Sequence, residues 1–316
     1  MAVPDVSVIL PTRDRSRQLA RALGSALAQR GVTLEVLIVD DGSTDDTDRI
    51  LSRIRDPRVR RRRNDAPEGV SAARNVAISD ARGRWIAFLD DDDVWAPSKL
   101  ASQMDVMRTN GRTWSYAGEV IVNEHLNVLA GARPPPPGEV VRLLERYNAV
   151  PAGASNVVVA AEALEAAGAF DTALTSSEDW DMWIRLSRGG PPDWVCSPLV
   201  AISYHRGNAS RDMDTMIRQL EVVARRYGIR VDRARHYRWA AWQALLEGRR
   251  AAATRSYARA VAAGDLRSLA RAAVAIVDPD YALRRARRNH RAAEHEPWIA
   301  EARTWLEPLK AVAHIG

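Results

Sequence analysis

Three short apolar runs, each broken off by a polar cluster, constrain this chain more than any other feature. Val6–Leu10 stops at Pro11, Thr12, Arg13 and Asp14; Leu34–Val39 stops at Asp40 and Asp41; Arg84–Leu89 runs into four aspartates, Asp90 to Asp93. Short β-branched and apolar runs bounded by turn formers read as buried strands. Helical patterns lie between them. Ser16 is read as an N-cap, with Leu19, Leu23, Ala26 and Leu27 on one face as far as Gly31. The cluster Asp40 to Asp46 leads into a helix through Ile50 and Ile54, and Gly69 opens another carrying Val70, Ala73, Val76 and Ala77. Arg58–Arg62 is read as a short third strand. Strand alternating with helix implies an α/β chain with a mostly parallel, Rossmann-like sheet. In such sheets ligands bind beyond the carboxyl ends of the strands. Two of the three clusters at those ends are acidic here. An acidic crevice repels bare phosphate, so a phosphate-bearing ligand needs a divalent cation as intermediary.

The chain has 316 residues, 46% hydrophobic and 27% charged, which excludes global disorder and allows one large domain or two modest ones. No apolar run approaches the roughly 18 residues that would span a bilayer, and Met1–Asp5 lacks the basic and apolar regions of a secretory signal. The one cysteine, Cys196, has no internal partner, and no Cys/His cluster is spaced for zinc. A cytoplasmic address is the expectation. Only two lysines occur, Lys99 and Lys310, so the positive charge is nearly all arginine; with abundant alanine this reflects a GC-rich genome better than nucleic-acid binding. From Arg211 onward there are 21 basic and 12 acidic residues. That basic tail could face an anionic membrane surface at the inner side of the membrane, or simply be a solvated helical face.

Adjacent carboxylates repel one another, a cost justified only if a cation or solvent reaches them. Asp90 to Asp93 following a hydrophobic strand suit a hard cation such as Mg2+ or Mn2+, which binds one or two carboxylates together with phosphates and waters. A solvated acidic turn is the competing reading. The surrounding residues narrow the choice. Val6–Asp14, then Glu35–Asp45 with its Asp40-Asp41-Gly42-Ser43 core, then Gly69–Asn75, then Trp85–Trp95 together resemble glycosyltransferase family 2, on the GT-A fold. The resemblance covers roughly residues 5 to 210. It implies that Asp41 hydrogen-bonds the base of a nucleotide-sugar donor, that Arg74 lies beside the same nucleotide, and that Pro11 and Thr12 approach the base through backbone. Arg13 departs from the residue common in relatives at that point. Asp90 or Asp91 would lie near the ribose, with Asp92 on Mn2+ or Mg2+, and Asp93 would cap the following helix. Asn75 and Asp40 have structural alternatives, as a cap and a turn residue.

In the second half, Arg133–Gly138 reads as a stiff proline loop, Ser155–Val159 as a strand and Glu162–Ala167 as a short helix. Ser177 is read as the N-cap of a helix whose apolar face carries Trp180, Trp183 and Ile184. Glu178 and Asp179 then fall in its first turn, where the helix dipole favours acids with no chemistry required. The family resemblance assigns the general base to this acidic pair, and Asp179 is the candidate, with Glu178 and Trp180 on the acceptor side. Inverting transfer is a single displacement that needs one base and a cation on the leaving phosphate. His205, after what reads as an edge strand, could reach the diphosphate or the metal, or be a plain loop histidine. Trp183 is read as core.

Beyond Arg211 the chain reads as helical, with Leu220, Val223 and Tyr227 on one face. Trp239 and Trp242 begin another helix, Tyr257 and Val261 continue past Gly248, and Trp298, Trp305 and Leu309 mark a last amphipathic stretch. The expected division is a catalytic region over 1–210, split near 112 into donor and acceptor halves, and an all-helical region over 211–316. The helical part would pack on the catalytic domain, form a homodimer, or dock on a membrane or acceptor carrier. The expected reaction moves a sugar from a UDP- or dTDP-sugar to the hydroxyl of an unidentified acceptor: glycan, lipid carrier or natural product. A sugar-phosphate nucleotidyltransferase would want a glycine-rich basic loop after the first strand, and Pro11–Asp14 has no glycine. A silent binding module would have lost the metal or base position, and neither is lost.

Overall fold

The computed structural model describes residues 3–204, 213–278 and 297–312. Two compact units emerge: Met1–Leu144, Asn148–His205 and Pro297–Gly316 form the first, and Glu145–Tyr147 with Arg206–Glu296 form the second.

The first unit is built on one mixed sheet. Its strands are β1 (Val6–Thr12), β2 (Leu34–Asp40), β3 (Val59–Arg63), β4 (Trp85–Phe88), β5 (Val94–Trp95), β6 (Trp114–Val122), β7 (Val128–Ala132), β8 (Val158–Ala160) and β9 (Asp193–Ser203). Their order is β3-β2-β1-β4-β8-β6-β9-β5, with β7 paired to β6. The first four are parallel, in the register Val6 to Leu34 and Val6 to Trp85. β8 then runs antiparallel to both β4 and β6, so the sheet is mixed from that point. Every residue of β1 and β2 is buried, which explains their continuous apolar runs: both faces of a parallel strand are covered. One cover is α1 (Ser16–Leu27), which turns Leu19, Ala22, Leu23 and Ala26 inward. These meet Leu51, Trp95, Leu100, Met104 and Met107 in the main core, each large side chain contributing about 1.5–3 kcal/mol. The remaining helices here are α2 (Thr47–Arg53), α3 (Val70–Ser79), α4 (Lys99–Asn110), α5 (Pro137–Leu144), α6 (Ala161–Ala167) and α7 (Glu178–Gly189).

The departures from the sequence reading have local causes. Arg15, not Ser16, holds the N-cap position of α1. The proline run is a loop only as far as Pro136; Pro137 opens α5, because proline's missing N–H and fixed φ suit the first helical position. The strand placed at Ser155–Val159 begins only at Val158. Ser155 and Asn156 lie instead in a 3-10 turn, Gly153–Asn156, where the Asn156 amide bonds Ala117 in both directions at 2.7 Å. Asp93 does not cap a helix: its carboxylate accepts from Ser155 Oγ at 2.5 Å and the Ser203 amide at 3.1 Å. β9 is not an edge strand, since β5 pairs with Val200 and Ala201 on its far side.

The second unit contains α8 (Met213–Tyr227), α9 (Arg233–Leu246), α10 (Arg250–Ala262) and α11 (Arg267–Val277). Trp239 and Trp242, stacked at 4.7 Å, sit in the middle of α9 rather than opening it; Asp232 caps that helix through the Arg235 amide. Ala244, Leu245, Ala253 and Ala275 form its small core. Gly248 and Gly264, at φ +71° and +98°, end α9 and α10 in a conformation that costs other residues strain. The last helix, α12 (Pro297–Val312), belongs to the first unit: Trp298 donates to the Cys196 carbonyl and Trp305 to that of Pro198 at 3.0 Å. Among the described residues, no helix is long and apolar enough to cross a membrane.

Candidate active site

The parallel register brings the carboxyl ends of β1, β2 and β4 side by side, and each end is held by a carboxylate. After β2, Asp40 accepts from the Ser43 amide at 2.9 Å and pairs with Arg63, closing the turn. Asp41 is buried. Its Oδ1 accepts from Asn64 Nδ2 at 2.8 Å and the Glu68 amide at 2.9 Å, and its Oδ2 from the Gly69 amide at 2.8 Å. With two acceptor positions per oxygen, these contacts leave one on Oδ2. At the end of β1, Pro11 and Thr12 are buried and the Thr12 hydroxyl donates to Asp91 Oδ2 at 2.7 Å, while the Arg13 side chain is 53% exposed.

The four aspartates after β4 are not equivalent. Asp91 and Asp93 are buried, and Asp90 and Asp92 are partly exposed. Asp90 is the most open of the four, its side chain 37% exposed, whereas Asp92 at 12% is scarcely more exposed than Asp91 at 9%. Asp91, one of two residues expected beside the ribose, faces inward to Thr12 and the Arg13 amide. Burial pushes its carboxyl up to about 7, against the pull of the neighbouring Arg15. Asp93 is raised well above the carboxylate range by burial and by the charges of Asp92 and Asp90. Asp90 receives Nη2 of Arg74 at 2.7 Å, and Asp92 pairs with the Arg15 guanidinium.

Arg74 joins this cluster to the acidic pair. Its side chain is 2% exposed; Nη1 donates to Glu178 at 2.6 Å while Nη2 holds Asp90, and the guanidinium lies 5.3 Å from the Phe170 ring. Asn75 fixes Phe170 through two backbone hydrogen bonds of 2.9 Å. Asn75 is therefore a clamp between segments rather than a helix cap.

Glu178 and Asp179 open α7 as expected, but Ser177 holds the N-cap position at φ +66° without a side-chain bond. Asp179 Oδ2 accepts from Asn148 Nδ2 at 2.8 Å and Oδ1 from the Trp180 amide at 2.7 Å. Burial, then the charge of Glu178, pushes the Asp179 carboxyl up to about 7; Arg74 pulls the other way. A Cβ at Gly153 would lie 2.8 Å from Asp179 Oδ2, so only glycine leaves that oxygen room. Trp180 is fully buried and donates to the Leu144 carbonyl at 2.9 Å, so no face is open to stack on an acceptor. Trp183 is core, stacked on Trp114. His205 lies outside the described residues.

Sequence reasoning missed Arg15, Asn148 and Gly153. Asn148 and Gly153 carried no local signal. Arg15 did carry one: a cation at a helix N-terminus opposes the helix dipole, which implies a carboxylate partner. Among the described residues no three His, Cys, Asp or Glu side chains form a metal cage. A Mg2+-like ion does not need one, because substrate phosphates and waters complete its shell. Asp92, already carrying a cationic partner, fits such an ion.

A Rossmann-like mixed sheet with these carboxylates at its crevice defines the class of GT-A glycosyltransferases. Residues 7–150 match the model for Glycosyl transferase family 2. The chain is 31% identical over 187 residues to the UDP-Glc:alpha-D-GlcNAc-diphosphoundecaprenol beta-1,3-glucosyltransferase WfaP of Escherichia coli, covering 58% of this chain and 71% of that protein. It is 46% identical over 103 residues to the succinoglycan biosynthesis protein ExoO of Rhizobium meliloti, spanning 33% of this chain but only 30% of that longer relative. The crystal structure of S. aureus TarS 1-349 shares the fold, with a TM-score of 0.57 over 92% of both chains at 16% identity. The chain belongs to glycosyltransferase family 2 and is a glycosyltransferase.

Proposed function

We propose that the enzyme moves a hexose from a UDP-sugar, with inversion and with Mn2+ or Mg2+, onto a hydroxyl of a lipid-linked sugar. The observation that carries this reading is the Arg74 bridge, because it ties the donor-side Asp90 to the acid pair containing Asp179. The donor follows from Asp41: its remaining Oδ2 position suits the imide N–H of uracil, with Pro11, Thr12 and Arg13 along the base and Asp90 near the ribose. UDP rather than dTDP is preferred because WfaP and a second E. coli relative, WfgD, carry UDP-Glc in their names. The same two names supply the acceptor class, a diphosphoundecaprenol-linked sugar.

Asp179 takes the proton from the attacking hydroxyl. A base near pKa 7 combines adequate ionisation with adequate strength at neutral pH, and such catalysis contributes about 10²–10⁴-fold. Asn148 and the Trp180 amide hold its carboxylate in one orientation. Asp92 would hold the divalent ion, which when bound neutralises charge on the departing diphosphate. To test this, UDP release from a panel of UDP-, dTDP- and GDP-sugars is measured with Mn2+ or EDTA. Metal-dependent turnover of one UDP-sugar, accelerated by a lipid-linked N-acetylglucosamine, is expected. Absence of both turnover and metal-dependent UDP binding would overturn the proposal.

The second unit supports a further part of it, contact with an anionic bilayer. Leu266, Leu269, Ile276 and Val277 are 64–84% exposed along α11, and Arg284, Arg285, Arg287 and Arg288 follow in the sequence. An exposed apolar row on a helix that also carries Arg267 and Arg271 suits the interface of anionic lipid. Sedimentation with phosphatidylglycerol vesicles, weaker with phosphatidylcholine and lost in a Leu269→Glu, Ile276→Glu double variant, is expected. If that variant instead dissociates a dimer, the face belongs to a second copy.

A further inference from the structure

Arg15 stands at the N-cap position of α1, where the helix dipole disfavours a cation. Its guanidinium nevertheless lies on Asp92, and Nη1 is 3.6 Å from Asp91 Oδ1. The backbone on either side explains why it is held there. Asp14, at φ +52°, accepts through Oδ1 from the Thr44 amide at 2.6 Å, the Thr44 hydroxyl at 3.1 Å and the Asp45 amide at 3.3 Å. Its own amide donates to Ser43 Oγ at 2.9 Å, and the Ser16 amide donates to Asp45 Oδ2 at 3.2 Å. The loop after β2 thus pins both neighbours of Arg15 and directs its side chain at the aspartate cluster. Arg13, two residues earlier and 53% exposed, has no such direction.

We propose that Arg15 is the built-in counter-cation of the metal position, and that a divalent ion gains Asp92 only by displacing it. Two cations on one carboxylate repel each other strongly, so the metal and the guanidinium compete. The competition eases when a nucleoside diphosphate arrives, because its oxygens give the displaced guanidinium a new bidentate partner. Metal and nucleotide then bind cooperatively, and linkage makes the effect reciprocal. This neutralises the acidic crevice in the donor-free enzyme without requiring a resident ion. The inference rests on the metal-dependent reading above.

The test is Mn2+ titration of the full chain followed by electron paramagnetic resonance, with and without UDP, together with calorimetry of UDP without metal. The wild type should bind Mn2+ weakly alone and at least about tenfold more tightly with UDP. Arg15→Gln should bind Mn2+ alone about tenfold more tightly than the wild type and UDP alone more weakly, while Arg15→Lys, which keeps the charge but not the bidentate fork, should stay close to the wild type for Mn2+ alone and bind UDP more weakly. Asp14→Asn, which loosens the pin without removing the guanidinium, should move Mn2+ affinity in the same direction by less, and serves if Arg15→Gln does not fold. If the wild type binds Mn2+ with UDP, but removing or loosening Arg15 leaves affinity for Mn2+ alone unchanged, the displacement is wrong and the proposed function stands. If the wild type binds Mn2+ neither alone nor with UDP, both fall.

Discussion

The sharpest consequence of the site concerns pH. With Asp179 titrating at about 7, roughly one tenth of it is ionised at pH 6 and about nine tenths at pH 8, so kcat/KM should rise about tenfold across that interval. The sign can be tested from both sides. Burial is the leading cause of the upward shift and the charge of Glu178 the second, while Arg74 opposes both. Glu178→Gln removes the repelling charge but keeps an oxygen to accept from Arg74, so the limb should move acidward by about one pH unit, or ~1.4 kcal/mol. Relative activity at pH 6 would then rise to about half of maximum. Arg74→Met removes the opposing charge, so the limb should move upward. It also leaves Asp90 and Glu178 without their buried partner, at a cost of about 3–5 kcal/mol, equivalent to a fall in melting temperature of roughly 6–20 °C for a unit of this size. The assay is UDP release at fixed Mn2+ from pH 5 to 9, run below the melting point of each variant. A wild-type limb in the ordinary carboxylate range, or both substitutions shifting it the same way, would refute the assignment of Asp179 as base.

Other outcomes follow from single contacts. Asp92→Ala should abolish metal-dependent UDP binding by calorimetry, with only a modest fall in melting temperature, since the relief of carboxylate repulsion offsets part of the cost of removing Arg15's nearest partner. Gly153→Ala would place a Cβ 2.8 Å from Asp179 Oδ2 at a backbone φ of +50°; turnover should fall at least about tenfold with UDP affinity unchanged, because a misplaced base slows chemistry rather than binding. Trp298→Ala removes the indole that fills the space over Gly118 and Gly131, and should cost about 3–5 kcal/mol by thermal unfolding without altering the pH limb.

The first ninety residues were legible because hydrophobic period and turn chemistry agree there. Buried parallel strands read as unbroken apolar runs, and Asp and Gly mark each strand's end. The region after Trp114 was opaque for a definable reason. Besides its hairpin partner β7, β6 takes partners from β8 and β9, both distant in the chain, so its boundaries depend on pairing rather than local preference. The site was legible as motifs but not as geometry. Nothing near Asp90 announces that Asp91 and Asp93 turn inward, because Thr12, Ser155 and Ser203 decide it from other segments. Trp180 misled for a related reason: an aromatic beside a candidate base looks like an acceptor platform until the Leu144 carbonyl claims its indole N–H.

The backbone adds an argument that side chains alone do not. Four described non-glycine residues have positive φ: Asp14, Leu126, Ala152 and Ser177. Leu126 belongs to the tight turn between β6 and β7, closed by Asn123, and needs no further account. The other three flank the chemistry: Asp14 directs Arg15, Ala152 precedes the glycine against Asp179, and Ser177 precedes Glu178. Each left-handed residue costs of order 1–3 kcal/mol and persists only where its surroundings impose it. A sequence free to relieve that strain would place glycine at 14, 152 or 177, as it does at Gly69 and Gly153. Retaining side chains there makes sense for Asp14, whose carboxylate anchors the loop after β2. At Ala152 and Ser177 the benefit is stiffness, because a glycine would widen the range of positions open to the base. The strain is therefore spent on fixing where Arg15 and Asp179 point, the two side chains on which the proposed transfer would rely.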